Sequence, residues 1–275
     1  RGNRAQPPLE MSSPKLLIFG PGGFMLGFLI GVGLAFAVEM LNDLLRTPRG
    51  VIKNLRTPLL GTICHKSEDR SVRKANLYQV VRDVPFSILS ECYRQFRVNL
   101  RLSGSGGTHK SLLITSSESG DGKTSVATNL TYTIAAENKR VLLIDTNFRK
   151  PTTSKLFADS SNTDSEAADV EKYGLSDYLM AKCDQAKIIR STDVEGLFVV
   201  DSGPLPLNPS ELLGCDRMKL LLKKASEVFD YVIVDGPPLL VSEAKSLAAY
   251  RDGTILVFKS DTTRKVPAQC SLREL

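Results

Sequence analysis

The stretch with the plainest chemistry is Ser117-Glu118-Ser119-Gly120-Asp121-Gly122-Lys123-Thr124, followed by Ser125. Leu112-Leu-Ile-Thr-Ser116 before it reads as a strand, and Ser125 to Glu137 after it reads as a helix. A strand, a glycine-bearing turn and a Lys-Thr pair opening a helix make a cradle for the phosphates of a nucleoside triphosphate. Backbone N–H groups of the turn point at phosphate oxygens, and the positive end of the helix adds to them. In this pattern Lys123 reaches the β- and γ-phosphates and the Thr124 hydroxyl holds Mg²⁺. Ser117 stands where the pattern has its first glycine, and a small residue fits there. The plain alternative is a Gly-rich turn without function; the strand before and the helix after count against it.

Two carboxylates belong to the same chemistry. Arg140-Val-Leu-Leu-Ile-Asp145 is an apolar run suited to a buried parallel strand, and it delivers Asp145 to the strand's C-terminal end, where open α/β sheets bind ligands. Asp145 is placed to meet Mg²⁺ or its waters, or to orient an attacking hydroxyl. Asn147 has the same reach without the charge, and Arg149 is a candidate for a phosphate or partner contact. Tyr231-Val-Ile-Val234 reads as another strand, with Asp235 at its end and Gly236-Pro237-Pro238 turning the chain sharply. That is the position of an acid that orders Mg²⁺ or its coordinated water. Lys123, Thr124 and Asp235 supply a positive charge, a hydroxyl ligand and a metal acid. Phosphoryl transfer needs mainly positioning and charge compensation, which these groups provide.

The elements that hold these residues read as five strands, starting near Leu112, Val141, Leu197, Tyr231 and Thr254. Helices separate most of them, which predicts a parallel sheet. Ahead of the sheet, a helix is expected from Pro85 to about Leu102. Glu91, Arg94 and Arg97 recur on it every three residues, and Arg101 extends their face. That face reads either as a solvated charged surface or as a contact with a neighbouring subunit. Residues 103–108 read as a flexible junction. Residues 158–172 are acidic and polar and read as a solvated loop, with a lid or docking role as the alternative.

The chain has 275 residues and a net charge of +6. Its basic residues are scattered, which argues against nucleic acid as a partner. The five cysteines are widely spaced and odd in number, so no disulfide or metal framework is expected and a reducing cytoplasm fits. Residues 16–38 carry no charged side chain. A helix of that length crosses the roughly 30 Å hydrocarbon core of a bilayer. Gly23, Gly27 and Gly31 share one face and would permit close packing against another span, and Pro21 is expected to begin or kink the helix. Arg46, Arg49, Lys53 and Arg56 follow the span, which places the C-terminal part in the cytoplasm, where ATP is. Residues 1–15 then form an external flank, and an earlier span with an external domain is expected upstream. Residues 39–84 read as a juxtamembrane connector, with Thr57–Ile63 as a short strand.

Taken in order, these features resemble the bacterial tyrosine kinases, the P-loop type linked to capsule and exopolysaccharide export. The matching residues are the glycine-rich span, Thr57-Pro-Leu-Leu-Gly-Thr-Ile63, Glu91-x-x-Arg94-x-x-Arg97 and Ser117 to Thr124. They continue with Val141 to Asp145 through Arg149 and Pro151, then Asn208-Pro-Ser-Glu-Leu-Leu213 and Val232-Ile-Val-Asp235-Gly-Pro-Pro238. The resemblance implies an α/β, P-loop NTPase-like three-layer domain with a mainly parallel sheet, preceded by one transmembrane helix. The kinase domain would occupy 85–275. The implied activity is ATP- and Mg²⁺-dependent protein-tyrosine autophosphorylation that regulates polysaccharide polymerisation and export. Lys123 and Thr124 would bind ATP and Mg²⁺, and Asp145 and Asp235 would be the acids around the metal and the incoming tyrosine. Glu91, Arg94 and Arg97 would build a homo-oligomeric ring presenting tyrosines of one subunit to the next. The implied partners are a second copy, tyrosine-bearing protein substrates, the export machinery and membrane lipid, at the bacterial inner membrane with the kinase in the cytoplasm.

Three departures qualify that resemblance. The family has Asp-x-Asp after the second strand, where this chain has Asp145-Thr-Asn147. No tyrosine follows Tyr250, where a tyrosine-rich tail is expected. A further helix and strand are expected after Arg264. A nucleotide-binding regulator with little or no catalysis is therefore the second reading. A partition- or division-type ATPase is the third, although those carry a lysine near the start of the loop, where this chain has Glu118.

Overall fold

The computed structural model describes residues 16–40, 47–55, 57–103, 109–157, 173–260, 262–263, 268–270 and 272. The expected external flank, Arg46 and Arg56, the 103–108 junction, the acidic 158–172 loop and anything after Arg264 fall wholly or mostly outside them. The chain divides into two compact units, Arg1–Asp43 and Leu44–Leu275.

The first unit holds α1, Leu16–Met40. Pro21 lies inside this helix rather than at its start. Gly20–Val38 is apolar all round and its side chains are exposed. A helix with no polar face and no packed face suits a hydrocarbon solvent.

The second unit begins with α2 (Pro48–Leu55), a 3₁₀ turn at Arg70–Val72, α3 (Val80–Asp83) and α4 (Ile88–Ser103). There follow β1 (Ser111–Ser116), α5 (Lys123–Ala135), β2 (Val141–Asp145), α6 (Thr153–Leu156) and α7 (Leu175–Leu179). Then come a 3₁₀ turn at Gln185–Lys187, β3 (Ile189–Ser191), β4 (Leu197–Val200), α8 (Pro209–Leu213) and α9 (Asp216–Val228). β5 (Tyr231–Asp235), α10 (Ser242–Ala248) and β6 (Gly253–Val257) complete the set. The sheet order is β3-β4-β2-β5-β1-β6. Every pairing is parallel except β3 with β4. The five expected strands are present, and β3 is an addition: three residues on an edge are too short to show a periodicity.

Side chains alternate across each strand, so each strand feeds two cores. Leu112 and Ile114 of β1, with Leu143 and Ile233, pack under α3, α4 and α5. Leu113, Leu142, Ile144, Val232 and Val234 pack under α7, α8, α9 and α10. The result is three layers. Leu130 of α5 is fully buried against the first face. Leu130→Ala is expected to cost about 3 kcal/mol, read as a fall of roughly 6–12 °C in the melting temperature.

Two local readings change. The helix expected from Pro85 starts at Ile88, because the Ser87 hydroxyl accepts from Ser90 N at 3.0 Å and caps it. Thr57–Ile63 is not a strand. It lies along α4, where Asn99 Nδ2 donates to the Leu60 carbonyl at 2.8 Å, so that carbonyl has no ladder partner. The remainder of the expected connector is packed rather than loose: Val72, Val80 and Val81 enter the first core. Asn129 of α5 fastens it by accepting from Val81 N at 3.0 Å and donating to the Leu77 carbonyl at 2.8 Å. The Thr128 hydroxyl adds a bond to the Tyr78 carbonyl at 2.7 Å.

Candidate active site

The order β2-β5-β1 sets three strand ends side by side. In register, Asp145 pairs with Asp235, and Asp235 with Ile114. The phosphate-type loop leaves the end of β1, so Lys123, Thr124 and the two carboxylates meet at the C-terminal edge of the sheet.

The loop is held from within. Asp121 Oδ2 accepts from Glu118 N at 3.0 Å and closes the turn. Gly122 caps α5 at φ +91°, a left-handed conformation that strains any side chain. Ser117, Asp121, Lys123 and Thr124 are buried, Glu118 and Ser125 are half-buried, and Ser119, Gly120 and Gly122 are exposed. The last three lie on the open rim, where phosphate would approach. Burial raises the Asp121 pKa, and the Glu118 N–H and the Thr263 hydroxyl hold the rise back. Thr263 Oγ1 donates to Asp121 Oδ1 at 3.3 Å. Its sequence position, far beyond the motifs, gave no sign of that contact.

The Gly236-Pro-Pro turn packs on the end of β1. Gly236 N donates to the Ile114 carbonyl at 2.9 Å, Leu239 N to the Ser116 carbonyl at 2.8 Å, and Thr115 Oγ1 to the Pro237 carbonyl at 2.6 Å. A Cβ on Gly236 would lie 2.7 Å from Leu113 Cδ1 and 3.2 Å from the Ile114 carbonyl oxygen, so any side chain there must push the buried Leu113 aside.

The two acids differ in environment. Asp145 is satisfied by its own loop: Oδ1 accepts from Asn147 N at 2.9 Å, and Oδ2 from Thr152 N and Thr153 N, each at 3.1 Å. Burial raises its pKa, and those backbone donors hold the rise back. Asp235 is fully buried, and neither of its oxygens has a hydrogen-bond donor. Burial first, and then the charge of Asp145, push its pKa up to about 7. The nearby Thr124 hydroxyl and Lys123 ammonium limit the shift. Two buried carboxylate oxygens without a donor, beside a threonine hydroxyl, are a hard-oxygen donor set of the kind Mg²⁺ takes. The residues fit the metal.

The remaining candidates are more dispersed. Arg149 Nη2 meets Glu243 Oε1 at 3.1 Å, and Glu243 is buried at the start of α10, a partner the sequence reading did not supply. Arg94 pairs with Glu91 at 3.0 Å and donates to the Pro85 carbonyl. Arg97 turns inward to Glu137 at 2.6 Å and the Thr133 carbonyl at 3.0 Å. Glu91 and Arg94 are thus open to solvent, while Arg97 braces α4 against the end of α5. The three do not form one free face.

Comparison with known proteins agrees with this geometry. A family model described as an AAA domain matches residues 109–261. Tyrosine-protein kinase YwqD of Bacillus subtilis is 38% identical over 185 residues, which is 67% of this chain and 74% of that protein. Tyrosine-protein kinase ptk of Acinetobacter johnsonii is 28% identical over 273 residues, 96% of this chain, but the chain spans only 36% of that protein's length. The solved kinase domain of the Escherichia coli tyrosine kinase ETK superposes with a TM-score of 0.70 at 29% identity, covering 80% of this chain and 86% of that one. The ordered motifs, the sheet with its phosphate-type loop, and these relatives agree: the chain belongs to the bacterial tyrosine-protein kinases.

Proposed function

We propose that this chain is the membrane-anchored, cytoplasmic catalytic part of a protein-tyrosine autokinase that uses Mg²⁺-ATP and regulates exopolysaccharide or capsule polymerisation and export. The observation that carries the reading is Asp235: a buried carboxylate without hydrogen-bond donors, beside Lys123 and Thr124, whose ionisation costs free energy until a cation arrives. Asp235 and Thr124 would hold the metal, with Asp145 next to them. Bound Mg²⁺ would neutralise charge building on the phosphate oxygens. The backbone N–H groups from Ser117 to Ser125 cradle the phosphates, and Lys123 compensates their charge. Asp145 keeps free lone pairs beside its backbone bonds and orients the tyrosyl hydroxyl. That oxygen bonds to the γ-phosphorus as its proton passes to Asp145, the bond to the β,γ-bridging oxygen breaks, and ADP leaves. Glu91 and Arg94 would face a second copy in a ring, and that copy would present its tyrosines to this site. Arg149, held by Glu243, would meet a phosphate or that partner.

The test is label transfer from γ-labelled ATP by the full chain in detergent, with acid hydrolysis to identify phosphotyrosine. Magnesium-dependent label on tyrosine supports the reading, and its absence from an active-sized, folded preparation overturns it. Asn147 favours the second reading, a nucleotide-binding regulator with slow chemistry, because the carboxylate expected two residues after Asp145 is an amide. On the kinase reading, Asn147→Asp restores a second acid and raises the transfer rate by about tenfold, measured in the same assay. If label transfer is absent and stays absent in this variant while Mg²⁺-dependent nucleotide binding persists, the regulator reading stands.

A further inference from the structure

The fold brings two of the five cysteines together. Cys64 Sγ and Cys92 Sγ lie 3.2 Å apart across 28 residues of chain. Both are free thiols and both are half-buried, open enough for a small reagent. A disulfide bond is about 2.05 Å long, so the two sulfurs stand about 1 Å beyond bonding distance. Neither thiol is on a loose tether. Cys92 sits in the first half of α4, and the backbone around Cys64 is laid along the same helix by the Asn99–Leu60 bond. A Cβ on Gly61 would come 3.3 Å from Phe96 Cβ, which measures how closely the two backbones approach. Asp69 adds a second fastening by accepting from Leu89 N at 3.3 Å. Cys183 is buried, Cys215 half-buried and Cys270 exposed; among the described residues no other sulfur–sulfur contact is made.

We infer that Cys64 and Cys92 are a reversible dithiol–disulfide pair, a modification site that takes low-molecular-weight disulfides of the glutathione class as co-substrate. Its hydrogen bond to Cys92, and then burial, push the Cys64 thiol up to about 11. Cys92 gives up its proton and attacks one sulfur of the small disulfide. The S–S bond of the reagent breaks, a mixed disulfide forms on Cys92, and one small thiol leaves. Cys64 then gives up its proton and attacks the Cys92 sulfur, releasing the second small thiol. Two electrons pass from the cysteine pair to the reagent, and two protons end on the released thiols. Cytosolic disulfides of this type are transient and redox-sensing rather than structural. The bond would join the segment at residue 64 to α4 between Glu91 and Arg94 and lock the residues between. The inference stands on the fold and does not require phosphoryl transfer.

The experiment treats the reduced full chain in detergent with oxidised glutathione, quenches with acid, denatures, and counts free thiols by maleimide mass tagging. Wild type is expected to lose the tag from Cys64 and Cys92 together, with tryptic peptide 57–66 joined to peptide 83–94 and separated again by reductant. Cys64→Ser is expected to keep the glutathionyl adduct on Cys92 without any intrachain link, and Cys92→Ala likewise forms no link, so either variant serves if the other folds poorly. Retention of all five thiols, separate adducts on both cysteines without a mutual bond, or a link that survives in Cys64→Ser would each overturn the assignment.

Discussion

Asp235→Asn removes magnesium-dependent phosphoryl transfer, by about 10³-fold or more, and at the same time stabilises the nucleotide-free protein at pH 8. The two effects have one cause. Asp235 is buried beside Asp145 without a hydrogen-bond donor, and its pKa stands at about 7 against an ordinary 3.8. Between about pH 4 and pH 7 the folded chain keeps a proton there that the unfolded chain has already released. The unfolded state then binds fewer protons, so stability falls as pH rises through that window and levels off above it. The penalty is present at pH 8 and absent below pH 4, and the amide abolishes it. The gain at pH 8 is about 2–4 kcal/mol, read as a higher melting temperature that converges with wild type in acid. A variant that melts no higher than wild type at pH 8 contradicts the buried, unpartnered carboxylate. The same proton opposes the metal. Mg²⁺-nucleotide affinity of wild type should tighten as pH rises through about 7, with proton release measurable by titration calorimetry in buffers of different ionisation enthalpy. Asp235→Asn should show neither.

Lys123→Met lowers tyrosine label transfer by about 10³-fold and weakens nucleotide binding. Lys123 is 6% exposed, so its charge acts in a poorly hydrated site, where it counts for more than on the surface. It is also one of the groups that hold down the pKa values of Asp121 and Asp235. Removing it pushes both carboxylates further up. The affinity that remains should therefore reach its full value at a higher pH than in wild type, a displacement that mere loss of a phosphate contact would not produce. Equal phosphotyrosine formation by wild type and Lys123→Met would show that the catalytic lysine lies elsewhere.

The parts of this molecule that could be read from its residues are those governed by local pattern. Val141–Asp145 and Tyr231–Asp235 are unbroken apolar runs ending in an acid, so local pattern alone places both strand and acid. The loop from Ser117 to Thr124 was legible because the positive φ of Gly120 and Gly122 and the Lys-Thr pair follow from a fixed geometry. What could not be read depends on partners distant in sequence. Nothing in Thr263 announces Asp121, and nothing in Glu243 announces Arg149. Arg97 shows the limit of periodicity: its spacing places it with Glu91 and Arg94, but Glu137 at the end of α5 draws its guanidinium inward. Val72, Val80 and Val81 sit in a stretch too mixed in polarity to declare a core role. Cys64 and Cys92 are separated widely enough that only the folded backbone pairs them.

The fastening of residues 77–81 to α5 has a mechanical corollary. Asn129 grips that segment at two points, and Thr128, which grips it at a third, also donates to the Thr124 carbonyl at 2.9 Å one helical turn back. A tug on the polypeptide arriving from its amino-terminal side is therefore borne by the same helix whose first residues grasp the nucleotide.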